Sequence, residues 1–198
     1  MIGWETLHGA ARVALAACWC GMALAFFIRP RGPSPATARR APAARWGLAL
    51  QALAFFIAWT ASRDRYPGFA LAGWGQVAAD GFALVLAVSS VWFVVEAVRV
   101  LGKQWSVQAR LIEGHRLVVA GPYSHVRNPI YAGMLGLLVA TGLVFSVWFA
   151  LAAAVVLYVA GTVIRVRSEE RLLAGAFGED FEAYRQHVPA LIPRWKSH

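Results

Sequence analysis

From Ile130 to Ile164 the chain runs for 35 residues without an Asp, Glu, Lys, Arg or His. A straight helix of that length would measure about 52 Å, against a hydrocarbon core of about 30 Å, so the run has to turn back on itself. The turn is expected between Gly142 and Ser146. It would leave two antiparallel arms in which Gly133, Gly136, Ala140 and Gly161 allow close helix contact. The whole chain has the same character, with 59% apolar and 15% charged residues and nine tryptophans. Soluble domains carry closer to 45–50% apolar and about 25% charged residues, so lipid is the expected solvent.

Three further apolar runs precede this hairpin, at Leu7–Ile28, Trp46–Ala61 and Val77–Leu101. The first is long enough to cross a bilayer, and the second can span by borrowing its interfacial flanks. In the third, Asp80 and Glu96 lie near the two ends, where carboxylates can reach headgroups or cations. Gly73-Trp74-Gly75 imitates part of a dinucleotide fingerprint, but no strand precedes it, and it reads as a helix start. The fold class is therefore all-α and integral to the membrane, with about five transmembrane helices and a C-terminal helical hairpin. It forms a single membrane domain over 1–198, with two spans and their loops in 1–76 and the third span and hairpin region in 77–198.

The basic residues set the expected orientation. With five spans, alternate polar segments share a side, and residues 29–45, 99–127 and 165 onward together hold 16 of the 19 lysines and arginines. The opposite side holds only Arg12, Arg63 and Arg65. By the positive-inside rule the N-terminus is outside, and the C-terminus and the polar segments flanking the hairpin are cytosolic. The formal charge of +9 is thus spread between apolar runs, not gathered on one polar face, which argues for the lipid bilayer as partner and against nucleic acid. Cys18 and Cys20 share one apolar run and imply no disulfide framework. The five histidines show no zinc-binding spacing, and no metal is expected.

Chemistry is concentrated on either side of the hairpin. Before it the chain reads Glu113-Gly114-His115-Arg116-Leu117-Val118-Val119-Ala120-Gly121-Pro122-Tyr123, then Ser124-His125-Val126-Arg127-Asn128-Pro129-Ile130-Tyr131. The Gly-Pro and Asn-Pro steps keep backbone out of helix just before an apolar span. Irregular backbone near membrane depth is tolerated where it lines a polar cavity, and His115, Tyr123, Arg127 and Asn128 are concentrated there. After the hairpin comes Arg165-Val166-Arg167-Ser168-Glu169-Glu170. Arg165 and Glu169 are four apart on one helix face, which by itself describes an ordinary surface pair at a helix end. The hairpin, however, returns them toward the Asn-Pro segment.

Taken in order, these motifs resemble the isoprenylcysteine carboxyl methyltransferase family, part of a wider group with the membrane phospholipid methyltransferases. The resemblance covers roughly residues 100–195. It implies a cytosolic S-adenosylmethionine pocket formed by Gln108, His115, Arg116, Leu117, Val118, Tyr123, Asn128, Pro129, Ile130, Tyr131 and Glu169. It also implies a substrate-facing arginine at Arg165, with Arg127 and Glu170 as supporting residues and with Arg165 and Glu169 as the catalytic pair. The family's usual Arg-His-Pro is here Arg127-Asn128-Pro129; asparagine keeps hydrogen-bonding capacity but cannot ionise.

Methyl transfer from a sulfonium to an ionised carboxylate depends on alignment and a dry site and needs no base. The expected activity is therefore S-adenosylmethionine-dependent O-methylation of a lipophilic carboxylate such as an isoprenylcysteine. Three alternatives remain: N-methylation of a phospholipid headgroup, an NADPH-dependent membrane lipid reductase, and a non-catalytic membrane protein. Arg165 disfavours the first by repelling a cationic amine.

Overall fold

The structure is a computed structural model that describes residues 3–27, 39–40, 44–62, 64–66, 73–102, 110–111 and 117–192. Five long helices dominate it: α1 (Trp4–Phe27), α2 (Ala44–Thr60), α3 (Gly73–Leu101), α4 (Pro129–Phe145) and α5 (Trp148–Phe177). A short α6 (Glu179–His187) follows. A two-residue antiparallel ladder pairs β1 (Arg39–Arg40) with β2 (Arg110–Leu111) in the register Arg39 to Leu111 and Arg40 to Arg110. The α1, α3 and α5 helices are each long and apolar enough to cross a membrane, and α4 is apolar but shorter. At 17 residues, α2 and α4 would each measure about 26 Å.

The hairpin turns at the far end of the expected window. The α4 helix continues through Gly142 to Phe145, and only Ser146 and Val147 separate it from α5. A distant contact fixes that point: Val147 N donates to the Ala61 carbonyl at 3.3 Å, and Ser146 Oγ donates to the same oxygen at 3.3 Å. The end of α2 therefore selects where the apolar run reverses.

The small residues of the two arms make the close helix contacts expected of them. Their partners are the outer helices α3 and α2. A Cβ on Gly133 would strike Val94 Cγ2 and one on Gly136 would strike Ser90 Oγ, both on α3, whereas one on Gly161 would sit 2.6 Å from the Gly47 carbonyl oxygen of α2. Ala140 belongs to a buried cluster with Leu15, Met22, Ala87, Val94 and Leu137, which joins α1, α3 and α4. A second cluster of Ala54, Ala58, Leu138, Ala154 and Tyr158 joins α2, α4 and α5. The α4 helix is shared by both, so each arm is held by its own outer neighbour. In lipid there is no hydrophobic drive for helices to associate, and such close steric contacts supply the attraction.

Large apolar side chains point outward, among them Trp46, Phe56, Phe82, Trp92 and Trp148, as a lipid-facing surface requires. Interhelical polar contacts add to the packing. Trp19 Nε1 donates to Thr141 Oγ1 at 3.1 Å, and Gln51 Nε2 donates to Thr162 Oγ1 at 2.8 Å. Asp80 does not extend toward headgroups: it is 3% exposed, 2.7 Å from His8 Nδ1, and accepts a 2.5 Å bond from Gln76 Nε2. Glu96 pairs with Arg99 at 3.5 Å near the other end of the same helix.

At 30 residues, α5 would measure about 45 Å and outruns the hydrocarbon core. Counted from Trp148, Arg165 lies about 26 Å along the helix, at the level where the core gives way to headgroups. The polar last turns of α5 extend beyond it. At Gly178, φ is +50°, a conformation other residues adopt only with strain, and this lets α6 start at once in a new direction.

Candidate functional site

Three elements converge at the Arg165 end of the hairpin: the segment entering α4, the last turns of α5, and α6 with the residues after it. Pro129 occupies the first turn of α4, where the missing N–H is no loss, and Asn128 is the cap residue, with φ −127° and ψ 61°, outside the helical region. The Asn128 side chain does not cap the helix. Its Nδ2 donates to the Ala190 carbonyl at 3.1 Å, its backbone N donates to the same oxygen at 3.0 Å, and Arg127 N donates to the Pro189 carbonyl at 2.8 Å.

Arg127 ties the three elements together. Its Nε donates to Glu170 Oε1 at 2.9 Å, and its Nη1 donates to the Arg185 carbonyl at 3.0 Å and also to the Val188 carbonyl. One guanidinium thus joins the entry to α4, the outer face of α5 and the end of α6. Tyr184 of α6 adds a 2.6 Å bond from its hydroxyl to the Tyr123 carbonyl. Tyr123 lies in a short 3-10 turn, Gly121–Ser124, and is 8% exposed. Burial raises its phenol well above the usual range, and Tyr184 and the Glu169 carboxylate raise it further. Burial also pushes the Tyr184 phenol up to about 12, with Arg127 pulling it down and Glu170 raising it. Both phenols are neutral at physiological pH and keep their protons as hydrogen-bond donors.

Inside this collar lies a second charged group. Arg165 is 5% exposed, and its Nε donates to the Tyr131 hydroxyl at 2.7 Å. That hydroxyl in turn donates to Glu169 Oε1 at 2.5 Å, and Arg165 Nη2 reaches the same oxygen at 3.4 Å. The guanidinium carbon lies 5.3 Å from the centre of the Tyr131 ring, within range of a cation–π contact. Tyr158 holds the other side of Tyr131 by donating to its backbone carbonyl at 3.0 Å. The result is a hydrogen-bonded Arg-Tyr-Glu group, with the Glu169 side chain 25% accessible beside an almost enclosed guanidinium.

The structure brings together Tyr123, Arg127, Asn128, Tyr131, Arg165, Glu169 and Glu170, all singled out in the sequence. Leu117 and Val118 are half-buried in the chain leading to the Gly121 turn. Pro129 is buried, and Ile130 packs against the cluster of α1, α3 and α4. Gln108, His115 and Arg116 lie outside the described residues. Sequence reasoning assigned no role to Tyr158, Tyr184 or the carbonyls from Arg185 to Ala190. Tyr158 did carry a signal, since it stands seven residues before Arg165 on the same face of α5. The carbonyls carried none, because every residue has one.

An apolar bundle with a polar arginine–tyrosine–glutamate cluster at one end of its last hairpin defines the class as integral membrane protein. The model of the family described as phospholipid methyltransferase matches residues 79–180, which run from early α3 to the start of α6, and the chain belongs to that family. The cobalt-zinc-cadmium resistance protein CzcN of Cupriavidus metallidurans is 39% identical over 102 residues, covering 48% of this chain and 44% of that protein. A solved structure of the eukaryotic intramembrane Ras methyltransferase ICMT, an isoprenylcysteine carboxyl methyltransferase, aligns with a TM-score of 0.59 at 18% identity. That alignment covers 95% of this chain and 66% of the other, and at such identity it speaks for the fold. The chain therefore spans less than half the length of the first relative and about two thirds of the second.

Proposed function

We propose that the chain is an S-adenosylmethionine-dependent methyltransferase that O-methylates the carboxylate of a lipophilic acceptor, with an isoprenylcysteine as the model substrate. The observation that carries this reading is Arg165, a nearly enclosed guanidinium held by Tyr131 and Glu169 at the level where a lipid-borne carboxylate would arrive. A guanidinium matches a carboxylate with two parallel hydrogen bonds, and a buried cation gains most from such a partner.

The donors and acceptors present fit the cofactor. Glu169 offers a partly accessible carboxylate to an ammonium or a ribose hydroxyl. Tyr123 offers a neutral phenol, and the Leu117–Val118 stretch offers backbone outside any helix. By the family resemblance, Gln108, His115, Arg116 and the Asn128–Tyr131 segment complete the pocket. When bound, the cofactor supplies a methyl group on a sulfonium; the carboxylate oxygen takes the methyl carbon, the S–C bond electrons return to sulfur, and no proton moves. Arg165 would orient the acceptor, and Glu169 would secure the cofactor. No base is required at residue 128, where asparagine keeps hydrogen-bonding capacity without ionising. The clustering of arginine and lysine at this end of the bundle supports a cytosolic site.

A second reading, methyl transfer to the amine of a phospholipid headgroup, is favoured by the description of the family itself. It requires a deprotonated amine beside Arg165, which repels the protonated form. Calorimetry with S-adenosylhomocysteine, followed by labelled methyl incorporation into a prenylcysteine analogue and into phosphatidylethanolamine, tests both readings. Label in prenylcysteine is expected. Label in phosphatidylethanolamine alone would replace the first reading with the second, and absence of S-adenosylhomocysteine binding would overturn both.

A further inference from the structure

The α2 helix lies wholly outside the residues that match the family model, yet it touches Arg165 directly. Residue 47 is glycine, and a Cβ there would lie 2.5 Å from the Gly161 carbonyl oxygen, 2.6 Å from Arg165 Cγ and 3.3 Å from Arg165 N. On the facing helix, a Cβ at residue 161 would lie 2.6 Å from the Gly47 carbonyl oxygen and 3.0 Å from Leu50 Cβ. Backbone therefore meets backbone one turn before the guanidinium, and the aliphatic stem of Arg165 rests in the space that a side chain at residue 47 would fill.

The contact is locked on both sides. One turn further along α2, Gln51 Nε2 donates to Thr162 Oγ1 at 2.8 Å, and both side chains are buried. Beyond it, the Phe55 ring stands edge-on to the Tyr158 ring with centroids 5.8 Å apart, and Tyr158 holds the carbonyl of Tyr131. The α2 helix thus bears on the stem of Arg165 directly and on Tyr131, the acceptor of its Nε–H, through one intermediate. No acid occurs between Ala44 and Thr60, so α2 constrains the arginine without competing for its charge.

We propose that α2 forms the fixed wall of the acceptor site and that Gly47 is a positioning residue, whose missing side chain sets the path of the Arg165 stem and so aims its guanidinium. This rests on the reading of Arg165 as the group that holds the acceptor carboxylate. It gives the N-terminal part of the chain a task in acceptor recognition: the geometry of the acceptor-facing cation is set by an element outside the region matched to the family.

The test uses the full chain in nanodiscs, with Gly47→Ala, Thr162→Val and Gly9→Ala, the last at a position where an added Cβ meets nothing within 4 Å. Gly47→Ala should lower kcat/KM for the prenylcysteine analogue about 10- to 100-fold, chiefly through KM, as expected for misplacement of a binding group by a fraction of an ångström to an ångström. Its S-adenosylhomocysteine affinity should stay within about twofold of the wild type, as should every property of Gly9→Ala. Thr162→Val, which removes the Gln51 acceptor at nearly constant volume, should raise acceptor KM by about 2- to 5-fold.

The Nε–H resonance of Arg165, assigned by its loss in Arg165→Lys, should move in Gly47→Ala and stay in place in Gly9→Ala. Unchanged acceptor kinetics and an unmoved resonance in Gly47→Ala would overturn the proposal. So would a parallel loss of cofactor affinity, which would mark α2 as general scaffold. If Gly47→Ala does not fold, Thr162→Val decides by the same criteria. A wild-type protein that binds S-adenosylhomocysteine poorly or transfers no methyl group would overturn the methyltransferase reading instead, and the Arg165 resonance would still decide the role of Gly47.

Discussion

The hydroxyl of Tyr131 accepts a 2.7 Å hydrogen bond from Arg165 Nε, and the same hydroxyl donates to Glu169. A single phenol thus keeps an arginine and a glutamate on adjacent turns of α5 in one arrangement, where a direct salt bridge would leave both side chains more freedom. Tyr131→Phe keeps the ring beneath the guanidinium and removes the bridge. A hydrogen bond to a charged group contributes about 1.5–3 kcal/mol, so the variant should lose about that much stability and kcat/KM should fall about 10- to 100-fold. Steady-state kinetics on purified protein measures this, and wild-type kinetics in Tyr131→Phe would remove the bridge from the mechanism.

Glu169 is the partly accessible member of that group. Glu169→Gln keeps its size and its contact with Tyr131 but loses the charge that would face the cofactor. S-adenosylhomocysteine affinity should drop by at least about tenfold, the loss of one charge-assisted bond. Titration calorimetry reads it directly, and equal affinity in the two proteins would mean that Glu169 serves only Arg165.

Arg127 carries the attachment of the C-terminal segment. Arg127→Ala would release the carbonyls of Arg185 and Val188 and leave Glu170, 18% exposed, without its partner. The expected cost is about 3 kcal/mol, the low end for breaking a buried pair, because both groups keep some solvent contact. Trypsin cleavage at Arg185 should accelerate in the variant well before the membrane helices unfold. Unchanged cleavage would show that the Asn128 and Tyr184 bonds hold the segment without Arg127.

The Tyr184 phenol gives this attachment a pH dependence at the alkaline end. Its folded-state value is raised from the ordinary 10.0 to about 12, chiefly by burial. A raised value means that the fold favours the protonated form. Its stabilising effect is therefore complete below pH 10 and lost as pH rises through about 12. The stability difference between wild type and Tyr184→Phe should be constant up to about pH 10 and shrink above it. A difference that does not vary with pH would contradict the burial of the phenol.

Close packing of α4 on α3 depends on Gly133, where an added Cβ meets Val94 Cγ2 and lies 3.0 Å from the Ser90 carbonyl oxygen. Gly133→Ala should destabilise the protein by about 1–3 kcal/mol through overpacking. Unfolding in mixed micelles provides the measurement. Stability equal to that of the wild type would show that the two helices can separate without loss.

Much of the site could be read from the order of residues alone. The pair at Arg165 and Glu169 lies on one helix face by spacing, and the Asn-Pro step marks where regular backbone begins. A reversal in the run between them is forced by bilayer thickness. What spacing does not contain is the choice of partner. Arg127 and Arg165 are both arginines near a glutamate, yet one binds the carbonyls of a distant segment and the other binds a phenol. Asp80 shows the same limit, because its environment is created by His8, 72 residues away.

The sequence by itself determined the all-α class, the apolar character of the bundle and the end at which polar chemistry gathers. These follow from run length, charge distribution and helical period, all of which are local properties. The tertiary structure decided which helix each glycine faces, where the hairpin turns and what surrounds Arg165. Those outcomes depend on contacts between residues far apart in the chain, such as Gly47 with Gly161 and Ala61 with Val147, and steric fit between two surfaces is not written in the spacing of either one.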